Sequence, residues 1–99
     1  MDIAAELAST VHAAADGKVI YSGRKGGYGY CVMIRHAYGF VTLYGHLSAC
    51  YVPEGEEVRS GKVIGFIGSS GKSTGNHLHY EVRKNGRPVR PYIRKRRGL

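Results

Sequence analysis

Two histidines one residue apart, in the stretch His77-Leu-His-Tyr-Glu-Val82, have the type and spacing to do chemistry. The stretch alternates and contains an aromatic and a β-branched residue, which predicts a strand. Side chains at positions i and i+2 of a strand point to the same face, so His77 and His79 project together. Two imidazoles on one face form half of a tetrahedral zinc site, or a ligand beside a general base. The same pattern also fits two solvent-facing histidines with no chemical role.

A Gly-Lys-Ser sequence at residues 71–73, just upstream, resembles the end of a phosphate-binding loop. That motif requires a glycine five residues before Gly71 and a helix after the serine. Phe66 occupies the required glycine position, and the predicted strand follows instead of a helix. The sequence therefore indicates a polar loop that leads into a strand, and not a nucleotide site.

The composition describes one small domain rich in turns. The chain has 99 residues, 15 of them glycine, and 42% of its residues are hydrophobic. A chain of this length builds one modest core, and no apolar run approaches the length needed to span a membrane. The first residues lack the basic start of a signal peptide, because Asp2 and Glu6 are acidic. We expect export signals, and part of the fold, to lie upstream.

Positive charge is concentrated near the C-terminus. The net charge is +8, and eight of the 15 basic residues fall between Arg83 and Arg97. Three interpretations remain open: a solubilising tail, a contact with an anionic cell-envelope polymer, or nucleic-acid binding. Only Tyr92 adds an aromatic ring to this cluster, which weakens the case for single-stranded nucleic acid.

A hairpin is predicted in the middle of the chain, where the strands Tyr30–Arg35 and Phe40–Tyr44 flank a turn at residues 37–39. In that hairpin Cys31 lies opposite about residue 46 and not opposite Cys50. The geometry therefore does not favour a disulfide between the two cysteines.

Further turn signals predict short strands along the whole chain. Asp16-Gly17, between residues 11–15 and 18–22, predicts a second hairpin. Two closely spaced turns at residues 54–55 and 60–61 are typical of compact barrels and sandwiches. The predicted fold class is all-β, a compact antiparallel sheet or barrel-sandwich of short strands.

Six blocks of sequence occur along the chain in this order: DIAA (2–5), AAADGKV (13–19), GGYG (26–29), LYGHLS (43–48), VRSGKVIG (58–65) and STGNHLHYEV (73–82). Together they resemble the lysostaphin/LytM-type zinc endopeptidases, which cut peptides in bacterial peptidoglycan. The resemblance covers residues 1–92 as one peptidase domain and leaves residues 93–99 as a basic tail. It implies a LytM-like fold with a lipoyl-like hybrid barrel topology, in the cell envelope, either periplasmic or secreted.

The resemblance also implies a set of site residues. The zinc ligands of the family are a His, an Asp four residues later, and the second His of a His-x-His pair. Asp2 and His79 match the last two, and the first ligand would lie four residues before Asp2, outside this sequence. His46 and His77 match the two further active-site histidines, which act on the attacking water and the leaving amine. His12 and His36 match no site position, so we expect them to be structural.

Three functions remain to be compared. The first is a zinc endopeptidase acting on peptidoglycan cross-links or stem peptides, and its activity without the first His ligand stays open. The second is a non-catalytic module of the same fold that binds the cell wall or activates another wall hydrolase. The third is a lipoyl- or biotinyl-type carrier barrel, which the sequences around Lys62 and Lys72 do not favour, because they lack the Met or Ala flanks of a modified lysine.

Overall fold

The computed structural model describes residues 2–5, 9–67 and 76–89, and it gives the backbone alone for residues 2–5, 76 and 77. The Gly-Lys-Ser-Thr loop and the basic end at residues 93–99 lie outside the described residues. Short 3-10 turns occur at Gly26–Tyr28 and Ala37–Gly39. The strands are β1 (Asp2–Ala5), β2 (Ser9–His12), β3 (Gly17–Arg24), β4 (Tyr30–Arg35), β5 (Phe40–Leu47), β6 (Ala49–Cys50), β7 (Glu57–Val58), β8 (Val63–Ile67), β9 (Asn76–Lys84) and β10 (Arg87–Val89).

The strands of the described residues form two antiparallel sheets. The large sheet has the order β1-β9-β5-β4-β3-β7, with β10 also beside β9, and the small sheet has the order β2-β8-β6. β1 and β10 share one edge of β9, because β1 pairs with residues 76–79 and β10 with residues 82–84. This arrangement confirms the predicted all-β class of short antiparallel strands.

The predicted hairpin between β4 and β5 is confirmed, with Val32 opposite Tyr44 and a register shift near Cys31. The predicted hairpin at Asp16-Gly17 is wrong. β2 pairs with β8 in the small sheet, whereas β3 pairs with β4 and β7 in the large sheet. The Asp16-Gly17 turn therefore carries the chain from one sheet to the other. A Cβ on Gly17 would collide with the carbonyl oxygen of Arg35, so this crossing requires glycine.

The core lies between the two sheets. Alternate residues of β4 and β5 face it, among them Val32, Ile34 and Tyr44, each no more than 2% exposed. The small sheet contributes Ile64 and Ile67 to the same cluster. Each fully buried aliphatic side chain contributes about 1.5–3 kcal/mol to folding. This packing fixes which face of the large sheet lies against the small sheet.

Strand β9, which contains the predicted site residues His77 and His79, also has one face toward the core and one face away from it. Leu78 and Tyr80 pack against the core cluster. Successive side chains of a strand point to opposite faces. His79, Glu81 and Arg83 therefore lie on the face of the large sheet that points away from the core.

Both cysteines are free thiols. Cys31 is fully buried on β4, and burial raises the pKa of its thiol to about 11. Cys50 belongs to β6 of the small sheet, and its thiol donates a hydrogen bond to the carbonyl oxygen of Cys31 at 3.7 Å. The structure agrees with the sequence geometry, which did not favour a disulfide.

Candidate metal centre and active site

Three residues that are far apart in the sequence meet in one row across β1, β9 and β5. Asp2 on β1 is the register partner of His79. Gly45 on β5 is the partner of His79 on the other side. Directly opposite residues of antiparallel strands share a face, with Cβ atoms about 4.5–5.5 Å apart. The register thus brings predicted positions 2 and 79 together and sets position 46 beside them.

The His79 ring lies among three side chains of the described residues. Its Nε2 atom is 2.7 Å from Oε2 of Glu81, and its side chain is 23% exposed. The Tyr28 ring centroid is 5.3 Å away, and the His46 ring approaches edge-on at 5.8 Å. His46 and His79, both predicted from the sequence, are therefore neighbours.

His46 has an unusual backbone conformation. Its φ is 62°, in the left-handed region that residues other than glycine seldom adopt. Its side chain is exposed, and it follows Gly45, the last residue of β5 that pairs with β9. Strained backbone of this kind recurs at functional sites, where surrounding structure holds it in place. The conformation accompanies the turn of β5 away from β9 at this point.

Glu81 is the centre of a polar cluster beside His79. Its Oε2 also accepts a hydrogen bond from the Tyr28 hydroxyl at 3.0 Å. Its Oε1 accepts two from Arg83, from Nε at 3.0 Å and from Nη2 at 2.8 Å. Partial burial raises the pKa of Glu81, but the hydrogen bonds from His79, Arg83 and Tyr28 outweigh burial and lower the pKa to about 2. The carboxylate is therefore ionised at neutral pH and can only accept hydrogen bonds.

Tyr28 reaches this cluster from the 3-10 turn at Gly26–Tyr28, which folds over the sheet. A Cβ on Gly45 would lie 3.3 Å from Cδ1 of Tyr28 and 3.4 Å from its Cβ. The missing side chain at position 45 therefore leaves room for the tyrosine to pack against the sheet. The hydrogen bond to Glu81 is the largest of the causes that raise the pKa of the Tyr28 hydroxyl, which keeps it protonated as a donor.

Sequence reasoning missed Glu81, Arg83 and Tyr28. The signal for the first two was present, because the period-two alternation that pairs His77 with His79 continues through positions 81 and 83. Tyr28 carried no such signal. Its contact depends on the path of a glycine-rich turn across the sheet, which local spacing does not determine.

The side chains of Asp2 and His77 lie outside what the structure describes, so their positions are known from the backbone register alone. Asp2 lies opposite His79, and His77 lies opposite Ala4. Among the described residues, no group of three or more His, Cys, Asp or Glu side chains is placed to hold a metal ion.

The two histidines expected to be structural make hydrogen bonds within turns and strands. His12 contacts the hydroxyl of Thr10 at 2.9 Å and the carbonyl oxygen of Gly61 at 2.8 Å. His36 contacts the carbonyl oxygen of Asp16 and the hydroxyl of Thr42, both at 2.7 Å. Both therefore have hydrogen-bonding roles in holding turns and neighbouring strands together.

A comparison with models of known protein families identifies the family of this chain. The model of peptidase family M23 matches residues 1–91. The chain belongs to peptidase family M23. In the part of this M23 chain that the structure describes, no helix has the length and apolar character to cross a membrane.

Relatives of this M23 chain have names that describe different roles. It is 60% identical over 91 residues to the DD-carboxypeptidase/endopeptidase Mpg of Neisseria meningitidis, covering 92% of this chain and 21% of the relative. It is 38% identical to the murein hydrolase activator EnvC of Escherichia coli, covering 92% of this chain and 22% of EnvC. The chain thus spans about a fifth of the length of these curated relatives.

A solved structure extends the likeness to the fold. The zinc-containing peptidase from Vibrio cholerae superposes with a TM-score of 0.79 at 36% identity, covering 89% of this chain and 27% of that one. At this identity and score the two chains share the M23 fold across most of the present sequence.

Proposed function

We propose that this M23 chain is the catalytic part of a zinc-dependent endopeptidase that hydrolyses peptide bonds in the cross-links or stem peptides of bacterial peptidoglycan. Family membership and the 60% identity to a DD-carboxypeptidase/endopeptidase support this function. The observation that carries the proposal is the register that sets Asp2 opposite His79. We place the protein in the cell envelope, where that substrate is found.

The donor chemistry of this row fits zinc. Carboxylate oxygen and imidazole nitrogen are ligands that zinc takes at about 2.0–2.2 Å. Asp2 and His79 would supply them, and a histidine four residues before Asp2, outside this sequence, would supply the third. The zinc-containing relative from Vibrio cholerae supports this choice of metal. Zinc, when bound, supplies Lewis acidity that lowers the pKa of a water toward about 7 and polarises the scissile carbonyl.

The two remaining histidines would move protons. His46 lies edge-on to the His79 ring, so its imidazole borders the proposed metal position. His77 is two residues before His79 on the same strand. An imidazole nitrogen can act as a general base or, once protonated, as a general acid, so these side chains can accept a proton from the attacking water and return one to the leaving amine.

A non-catalytic role on the same fold is the second candidate. In this case the chain would bind the cell wall or activate another wall hydrolase. The 38% identity to a murein hydrolase activator favours it.

Zinc content and muropeptide digestion would separate the two candidates. We expect a chain extended upstream of Met1 to bind one zinc ion and to cleave peptide bonds in muropeptides. His46→Ala and His77→Ala should each lower the cleavage rate by about 10²–10⁴-fold, since that is the usual contribution of general acid–base catalysis. Zinc binding should persist in both variants, because neither residue is a proposed ligand.

His12→Ala is the matched control, because His12 is an exposed histidine that contacts Thr10 and Gly61, neither of which is a proposed site residue. It should leave both zinc content and cleavage unchanged. If the extended chain binds no zinc and cleaves nothing, the enzyme proposal fails. Stimulation of a separate wall hydrolase by that same chain would then favour the second candidate.

A further inference from the structure

We infer that Glu81 is a positioning residue that fixes the tautomer and the ring orientation of His79. The inference rests on the proposed function, because it takes His79 as a zinc ligand. It is carried by the 2.7 Å contact between His79 Nε2 and Glu81 Oε2. Neither the sequence pattern nor the family resemblance assigned a role to Glu81.

The carboxylate of Glu81 is held in one orientation by donors on both of its oxygens. Oε1 accepts hydrogen bonds from Nε and Nη2 of Arg83. Oε2 accepts a hydrogen bond from the Tyr28 hydroxyl and another from Nε2 of His79. Hydrogen bonds to an ionised partner are roughly twice as strong as neutral ones. Rotation of the carboxylate would break several of these bonds at once.

Arg83 also connects the other two members of the cluster. Its Nη2 donates to the Tyr28 hydroxyl oxygen at 3.2 Å, while Tyr28 donates its own proton to Glu81. The tyrosine, the arginine and the glutamate therefore form a closed set of contacts on one face of the sheet. Closed sets of this kind resist the loss or movement of a single member.

The proton on the His79 ring follows from this arrangement. Arg83 and Tyr28 donate hydrogen bonds to both oxygens of Glu81, so this carboxyl group is an acceptor and the ring nitrogen that faces it carries the proton. Nε2 faces Glu81, and a neutral His79 is therefore the Nε2–H tautomer with its lone pair on Nδ1. A metal takes the nitrogen that has the lone pair, and metal-bound histidines commonly donate their other N–H to a carboxylate.

Ring packing restrains the second degree of freedom, which is rotation of the imidazole. Tyr28 lies at a centroid distance of 5.3 Å and an angle of 36°, and His46 lies nearly perpendicular at 80°. Tyr28 thus acts twice, since its ring borders His79 while its hydroxyl holds Glu81. Glu81 and Tyr28 together define the direction in which Nδ1 points.

Nitrogen-15 NMR of the histidine side chains tests the inference without any enzyme activity. In the metal-free wild-type protein at neutral pH, we expect the His79 ring to show the Nε2–H tautomer. A predominant Nδ1–H tautomer would overturn the inference. Because this measurement needs no zinc and no variant, it gives an answer even if the proposed function fails or if a variant does not fold.

Two variants test the role of Glu81 in metal binding. Glu81→Ala should mix the two His79 tautomers and weaken zinc affinity by about 10–100-fold, the usual loss when an outer partner of a metal ligand is removed. Glu81→Gln should keep part of both properties, because its amide oxygen still accepts from Nε2–H. Zinc affinity would be measured by competition with a chelator, using the upstream-extended chain.

Glu57→Ala is the matched control, since Glu57 is an exposed carboxylate on β7, at the opposite end of the sheet order from β1 and β9. It should change neither the tautomer nor the zinc affinity. If Glu81→Ala folds and shows wild-type values for both, the inference is wrong. A wild-type protein that shows the Nε2–H tautomer and yet binds no zinc would defeat the proposed function while leaving the role of Glu81 as an orienting group intact.

Discussion

The neighbours of His79 lie on β1, β5, β9 and the 3-10 turn at Gly26–Tyr28. Its predicted partnership with Asp2 came from the family resemblance, and the register places the two opposite each other. Glu81, which sequence reasoning missed, contacts Nε2 of His79 through Oε2 at 2.7 Å. A glutamate two residues from a histidine on a strand is common, and only the surrounding donors distinguish this one from a solvated side chain.

Gly45→Ala tests whether the absence of a side chain at position 45, opposite His79, allows Tyr28 to pack against the sheet. The new Cβ would lie 3.3 Å from Cδ1 of Tyr28, closer than ordinary contact, so we expect the ring to be displaced. Overpacking of this kind costs about 1–3 kcal/mol. Urea unfolding would measure the loss of stability, and the Tyr28 hydroxyl resonance would report the loss of its bond to Glu81.

Gly27→Ala is the control, because a Cβ at that turn position meets nothing within 4 Å. Its effect on stability should be small. Equal stability of the two variants, with the Tyr28 bond retained in both, would contradict the role assigned to Gly45.

At the scale of elements, a hydrogen-bonded chain joins the β4–β5 hairpin to the crossing between the sheets. His36 contacts the carbonyl oxygen of Asp16 through Nδ1 and the hydroxyl of Thr42 through Nε2. Thr42 contacts the Tyr44 hydroxyl at 2.7 Å, and that hydroxyl accepts the backbone N–H of Ala14 at 3.0 Å. When His36 is neutral, the donors run from Tyr44 through Thr42 to the imidazole.

Thr42→Val should interrupt this chain while keeping the shape of the side chain. Thr42 is only 5% exposed, so the Tyr44 hydroxyl would lose its acceptor in a buried position. Leaving a buried polar group unsatisfied costs about 1–3 kcal/mol. Denaturant unfolding should show this loss in Thr42→Val, whereas Thr10→Val at an exposed position of β2 should show little. Similar free energies of unfolding in the two variants would mean that this series of hydrogen bonds does not stabilise the fold.

The elements differ in how far the sequence could predict them. β4 and β5 are close in sequence and joined by a glycine turn, so their pairing follows from local pattern. β2 pairs with β8, far along the chain, and nothing in residues 9–12 identifies that partner. An Asp-Gly turn has the same appearance whether it closes a hairpin or passes between sheets, which explains the wrong prediction at residues 16–17.

At the scale of the whole molecule, the strand order explains why widely separated residues can form one site. β9 enters the sheet between β1 and β5, although those strands lie far before it in the chain. The sequence alone predicts that His77 and His79 share a face, but the pairing of β9 with β1 and β5 is needed to bring position 2 and position 46 to them. The account therefore depends on a metal held jointly by the first and the ninth strand.

Anomalous X-ray scattering at the zinc edge, from crystals of the zinc-loaded and upstream-extended protein, tests that claim most directly. We predict one peak at about 2.0–2.2 Å, the usual zinc–ligand distance, from both an Asp2 carboxylate oxygen and Nδ1 of His79. A map with no peak between these residues, or with its peak at other side chains, would contradict the account.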